Sequence, residues 1–187
     1  MKKIIFPLLV LFSLTSYGQG FLRQSGKNIV DGQGNNIVLR GLGLGGWMVQ
    51  EGYMIQTEPF ASPQYVIKQK ITDLIGIEKT EEFYKAYRAN GITKRDIDSL
   101  AKWGFNSIRL PMHYNLYTPP IEAEKYGEIT WIEEGFTMTD NLLKWCAENK
   151  VYLILDLHAV PGGQGKDAAI SDYDDTKPSL WESEANR

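Results

Sequence analysis

The sequence predicts an α/β fold organised around a parallel sheet. Three observations carry this. Apolar strand-like runs alternate with helical patterns in the order strand, helix, strand, helix, strand. The run Val151 to Leu157 is nearly all apolar, as a strand covered on both faces would be. Glycine and proline punctuate the ends of each run rather than their middles. Sheets of this kind gather function at the carboxyl ends of their strands.

The first residues, MKKIIFPLLVLFSLTSYGQG, form a basic start, a short apolar run and then small residues. That order is a secretory signal peptide over residues 1–18, with mature protein from Gln19. The run Ile4 to Leu14 is too short to span a bilayer comfortably, and no later segment could. An exported protein, periplasmic or extracellular, with no membrane partner after cleavage is the expectation.

Next, FLRQSGKNIVDGQGNNIVLRG sets apolar pairs between turn residues, which predicts a small hairpin. A first core strand is expected over Ile37 to Leu42. Ser62-Pro63 reads as a helix start, and the apolar spacing from Val66 to Ile75 runs to Gly76. Thr80-Glu81-Glu82 reads as the start of another helix, ended by Gly91. Thr93 and Asp96 make a capping box, with Ile92 and Ile97 as its staple, and Gly104 closes that helix. FNSIRL (105–110) is a strand expected to stop at Pro111. Thr130 and Glu133 suggest a second capping box, followed by a stripe of Ile132, Phe136, Leu143 and Ala147. A third helix is expected to start near Ser179 or Leu180.

The 187 residues carry a net charge of −3, with no Lys/Arg cluster, so a nucleic-acid partner is not expected. The lone cysteine, Cys146, excludes an internal disulfide and sits in an amphipathic pattern, as a buried thiol would. The two histidines, His113 and His158, stand at no metal-ligand spacing, so no metal is expected. The Gly-Gly after His158 fits neither phosphate-binding fingerprint. It suits a backbone running close to a ligand.

Three segments together resemble glycoside hydrolase family 5, the cellulase and exo-β-glucanase family. They are RGLGLGGWMVQE (40–51), GFNSIRLP (104–111) and LILDLHAVPGGQG (153–165). The resemblance covers roughly residues 22 to 187. It implies a (β/α)8 TIM barrel that hydrolyses β-glycosidic bonds with retention, on a β-glucan or related saccharide and with no cofactor. Residues 19–187 would supply the hairpin and about the first three βα units. Arg109 matches the family's arginine that positions the nucleophile, and His158 the histidine bordering the sugar at the cleavage site. Glu51 matches a carboxylate that some exo-glucanases use on the terminal glucose.

Elementary chemistry agrees with these roles. Arginine stays charged and offers a planar fork, which suits the support of an ionised carboxylate. The competing reading of His158 is a structural histidine held by a buried carboxylate. Asp156 lies on the same side of its strand as His158 and reads as a paired, supporting carboxylate. His113 follows a strand and is a further candidate for sugar contact, or merely structural. Sugar C–H faces stack on aromatics, so Trp47, Tyr53, Tyr114, Tyr117 and Tyr173 are candidate platforms; each can equally pack the barrel top. Trp131 and Trp145 read as structural.

In the family the acid/base follows an Asn-Glu pair at the fourth strand, and the nucleophile Glu ends the seventh. No Asn-Glu dipeptide occurs in this sequence. A barrel takes roughly 250 residues. The chain is therefore expected to be the amino-terminal part of a longer hydrolase and inactive alone. The alternatives are a non-catalytic secreted carbohydrate-binding protein and a small doubly wound α/β protein of unrelated function.

Overall fold

The computed structural model describes residues 20–125 and 127–187. The expected signal peptide, 1–18, lies outside the described residues. The chain divides into two compact units, one ending at Val38 and one spanning Leu39–Arg187.

In the first unit, β1 (Arg23–Ser25) and β2 (Asn28–Val30) form the expected antiparallel hairpin, with Gln24 opposite Ile29. Gly26 takes φ +59° in the turn, a conformation that glycine adopts freely. Behind it, Asp31 accepts hydrogen bonds from the backbone of Gln33 and Asn35 and from the Asn35 side chain. Those bonds, the Asn35 side chain first, hold the Asp31 carboxyl below its ordinary value.

The second unit is built on three parallel strands in the order β3 (Gly41–Gly43), β4 (Ser107–His113) and β5 (Tyr152–Ala159). Among the described residues they form an open sheet, not a closed barrel. Between β3 and β4 run α1 (Gly52–Ile55), α2 (Gln64–Ile75), α3 (Ile77–Gly91) and α4 (Lys94–Lys102). The crossover from β4 to β5 is α5 (Glu133–Glu148), and α6 (Ala168–Ser171) follows β5.

The helix α4 shows how local chemistry fixes an element. The Thr93–Asp96 capping box forms at its start, and Gly104 takes φ +91° just past its end. Its Ile97 and Leu100 are buried against the sheet. There they meet Ile108 and Leu110 of β4, both fully buried, with Leu142 and Cys146 of α5. Successive strand residues face opposite ways, so Arg109 points to the other face of the sheet, opposite Ile154 in register.

Several expectations are corrected. The first core strand covers only Gly41–Gly43, not Ile37 to Leu42. Pro111 does not stop β4, which runs on to His113 with Pro111 opposite Asp156. The reason lies in which side each residue faces. Arg109 turns its carbonyl to the β3 side, where Leu44 N–H donates to it at 2.9 Å, so Pro111 turns the same way. There β3 has already ended, and no strand asks Pro111 for an N–H.

The helix α3 begins at Ile77, directly after Gly76, rather than at Thr80. Its neighbour α5 begins at Glu133 without a side-chain cap. Thr130 is drawn elsewhere, its N–H donating to Glu124 Oε1 at 2.6 Å. The buried stripe of α5 is Gly135, Leu142 and Cys146, leaving Phe136 and Leu143 partly exposed. Gly135 causes this rotation. A Cβ there would lie 2.6 Å from the Leu116 carbonyl oxygen, so only glycine lets the helix come this close to the 3-10 turn Tyr114–Leu116.

No helix forms at Ser179. The Ser179 N–H and hydroxyl both bond Glu182, but the backbone continues as turns, with Glu182 N–H on Ser179 O and Arg187 N–H on Glu184 O. The Asn186 side chain takes the Pro178 and Ser179 carbonyls that a helix would need. Nor is β5 covered on both faces. It is an edge strand, and Ile154, Leu155 and Leu157 are 42%, 57% and 50% exposed. Among the described residues, no helix is long and apolar enough to cross a membrane.

Candidate active site

The carboxyl end of β3 leads into a segment whose backbone is fixed around Glu51. Gln50 is buried; its N–H donates to Gln64 Oε1 at 2.7 Å, and its side-chain carbonyl accepts from the Tyr84 hydroxyl at 2.7 Å. On the other side, Gly52 N–H donates to Ser62 O at 3.0 Å. A Cβ on residue 52 would meet Ala61 O at 2.6 Å, so glycine is what allows the two chains to approach. Glu51 is thereby held nearly buried, aimed at the sheet from the start of α1.

There it meets His158, at the end of β5. Glu51 Oε1 lies 3.2 Å from His158 Nε2, and Glu51 Oε2 accepts from the Tyr53 hydroxyl at 2.9 Å. This bond to Glu51 raises the Tyr53 phenol above its ordinary value. Arg109 Nη2 lies 3.0 Å from His158 Nδ1 and pairs with Asp156. Asp156 Oδ2 is also 3.1 Å from His158 Nδ1. Arginine can only donate. With Nδ1 accepting from Arg109, Nε2–H donates to Glu51, and Asp156 is held beside Nδ1 by the Arg109 guanidinium rather than by a bond to the ring; this tautomer is assigned from the network. Asp156 has the paired, supporting place expected of it.

The fold therefore brings together Glu51 from the segment after β3, Arg109 from within β4 and His158 from near the end of β5, with Asp156 and Tyr53 at the edges. The Arg109 side chain is 45% exposed and that of His158 is 18% exposed, so the network opens to solvent on the arginine side. After His158, the loop is held by Gln164, whose side-chain amide bonds the His158 carbonyl. Gln164 O in turn accepts the Trp181 indole N–H at 2.8 Å.

Other candidates are placed elsewhere. Trp47 is a core residue, 5% exposed, its indole N–H on Arg88 O at 2.8 Å and its ring seated over Gly91. It offers no platform. His113, 1% exposed, has both nitrogens committed: Nδ1 accepts from Asn115 N–H at 3.2 Å, and Nε2 faces Asp172 Oδ2 at 2.9 Å. It has no nitrogen left for a sugar, so its expected substrate contact is replaced by a structural one. Tyr114 stacks on it, centroids 5.1 Å apart, and burial pushes the Tyr114 phenol up to about 12. Tyr117 bonds Thr139 at 2.7 Å and packs on Phe136. Tyr53 is exposed. Trp131, expected to be structural, is 60% exposed.

Two further residues matter to the site and its surroundings. Asp172 receives His113 on one oxygen and the Tyr65 N–H on the other, at 2.8 Å. A strand-end histidine with no sequence-near acid was the available signal that a distant carboxylate must meet it. Gln164 lies inside the glycine-rich stretch, where the glycines drew the attention. Among the described residues, no cluster of His, Cys, Asp or Glu could hold a metal ion.

The family model described as Cellulase (glycosyl hydrolase family 5) matches residues 66–187. A beta-xylosidase of Phanerodontia chrysosporium is 34% identical over 147 residues, covering 79% of this chain and 29% of that protein. A probable glucan 1,3-beta-glucosidase A of Aspergillus niger is 25% identical over 173 residues, covering 87% of this chain and 38% of that one. The chain thus spans about a third of the length of these curated relatives. The crystal structure of AoRut superposes with a TM-score of 0.60 at 20% identity, over 79% of this chain and 39% of that one, a likeness of fold. Together the family and this likeness imply a TIM-barrel glycoside hydrolase, of which the described residues form a partial α/β unit with a parallel sheet. By its sequence model, and in keeping with its fold, the chain belongs to glycoside hydrolase family 5.

Proposed function

We propose that this chain is the amino-terminal part of an exported β-glycosidase that cleaves β-glucan-type saccharides with retention of configuration. Residues 1–18 direct export, and residues 19–187 supply the hairpin and the first three βα units of the barrel. The observation that carries the reading is the meeting of Glu51, Arg109 and His158 in one network. The uncovered faces of β5 support a sheet that continues beyond it.

Retaining hydrolysis uses two carboxyl groups about 5 Å apart, one protonated acid and one nucleophile. In this chain Asp156 is paired to Arg109, and Glu51 is bonded by His158 and Tyr53. Neither is free for those tasks. The acid and the nucleophile come from later strands, and the residues described here prepare the place where they act. Arg109 lends its charge and donors to hold the nucleophile ionised. His158, bonded at one nitrogen by Arg109 and at the other by Glu51, holds those two groups in place beside the sugar, and Glu51 and Tyr53 offer their remaining lone pairs to its hydroxyls.

The test uses the full gene product with an aryl β-glucoside. Arg109→Ala should lower kcat by about 100-fold or more, the scale of losing a fixed charged donor from an active site. His158→Ala should lower kcat/KM about 10-fold or more, because Glu51 and Arg109 lose the ring that holds them in place. Near-wild-type rates in both variants would defeat the assignment. Turnover by purified 19–187 alone would defeat the division of labour.

A further inference from the structure

A cavity of about 220 Å³ lies apart from the Arg109–His158 network. It sits between the chain that follows β4 and the loop that follows β5, with Tyr65 at the start of α2 on one side. None of Glu51, Tyr53, Arg109, Asp156 or His158 lines it. The pair His113–Asp172 closes part of its wall and fixes the Tyr114 ring that stacks on it.

The chemistry of the wall selects a ligand class. Its ionisable groups, besides His113, are Glu122, Asp172, Asp174 and one cation, Lys177, which is already paired with Glu122 at 2.8 Å. The excess is negative, which repels phosphates, sulfates and carboxylates. Burial raises the Tyr114 phenol, and burial with nearby Asp carboxylates raises that of Tyr65, so both remain O–H donors at neutral pH. Neither hydroxyl has a hydrogen-bond partner among the described residues. Asp174 uses one oxygen on Thr176 and leaves the other available as an acceptor. Pro120, Ile121 and Val160 add apolar surface. Donors, acceptors and apolar faces around a space of this size, with no cationic anchor for an anion, suit a neutral ring bearing several hydroxyls.

We propose that this cavity is a second, non-catalytic site that holds one pyranose unit of a neutral saccharide. Its assignment to a β-glucan unit rests on the function proposed above. Both sites open from the ends of β4 and β5, so a polymer held here is kept at high effective concentration near the cleft.

The test is cellobiose titration by calorimetry on the full gene product carrying His158→Ala, which weakens the cleft about 10-fold or more. Binding should persist in this background. Adding Tyr114→Phe, which keeps the ring on His113 but removes its hydroxyl, should weaken that binding about 5-fold. Asp174→Asn, on the rim, should weaken it by a similar factor through the loss of a charged acceptor. Binding lost completely in His158→Ala, or unmoved by both added substitutions, overturns the proposal. Hydrolysis of the aryl β-glucoside by the unmodified protein separates the two ideas. Hydrolysis without cavity binding leaves the function standing and this site refuted; cavity binding without hydrolysis does the reverse.

Discussion

Asp172 is the residue whose replacement should cost the structure most for its size. It adopts φ +52° and is placed after β5, where one carboxylate satisfies two donors, one of them buried. One is the imidazole Nε2–H of His113, at 2.9 Å, on a side chain 1% exposed; the other is the Tyr65 N–H, at 2.8 Å. In Asp172→Ala both lose their acceptor. The buried His113 donor costs about 1–3 kcal/mol when unsatisfied, and the Tyr65 N–H, on an exposed residue that water can reach, adds about 0.5–1.5 kcal/mol. In Asp172→Asn one acceptor oxygen remains. The amide NH2 then faces His113 Nε2, which cannot also become an acceptor while Nδ1 accepts from Asn115. Only one donor is lost, at about 1–3 kcal/mol, and asparagine tolerates the left-handed backbone well. The order of stability is therefore wild type, then Asn, then Ala. Urea unfolding of the full gene product, followed by tryptophan fluorescence, reads it as successive drops in midpoint. With a slope of about 1–3 kcal/mol per molar, a loss of 3 kcal/mol moves the midpoint by about 1 M or more. If Ala and Asn fall together, or both stay within about 0.5 kcal/mol of wild type, the shared-acceptor reasoning is wrong.

Two further outcomes test the packing and the caps. Gly135→Ala should destabilise by about 1–2 kcal/mol, because overpacking against the Leu116 carbonyl exceeds the gain in helix propensity of about 1 kcal/mol; thermal melting checks this, and a raised Tm would refute it. Thr93→Ala should cost about 1 kcal/mol through the loss of the α4 cap. The Thr93 hydroxyl, then its N–H, hold the Asp96 carboxyl below its ordinary value of 3.8. The stabilising bond is thus fully present above that value and is lost as pH falls through the lower folded value. The gap between wild type and Thr93→Ala in urea titrations should narrow below about pH 4, without closing, because the Thr93 hydroxyl still accepts the Asp96 N–H, and a gap unchanged at pH 2 would contradict the hydroxyl–carboxylate bond.

The sequence was legible where local chemistry decides the outcome. Thr93 with Asp96 and then Gly104 fixed α4 at both ends, and Ser25-Gly26 fixed the hairpin turn, because each acts within a few residues of itself. It was illegible where a distant group competes. Thr130 looked like a cap until Glu124 took its N–H, and the face of α5 depended on how near Gly135 could come to Leu116. At the site, Glu51, Arg109 and His158 could be picked out because each lies near or just beyond the carboxyl end of a strand-like run and fits a family pattern. Trp47 misled because its neighbours Gly45-Gly46 suggest an open loop, whereas Gly91, 44 positions away, makes the slot that buries it. Asp172 escaped notice because nothing in its own neighbourhood reveals that a histidine 59 residues earlier needs it.

Pro111 has an effect that reaches past its own strand. A peptide arriving beside the upper half of β4 finds a ring carbon where the next amide hydrogen should be. The last bond on that side, from the Leu44 N–H to the Arg109 carbonyl, is already made, and beyond it the ladder cannot zip further. The mouth between the ends of β3 and β4 is thus kept from being sewn shut by stray backbone, and stays open to something that is not a polypeptide.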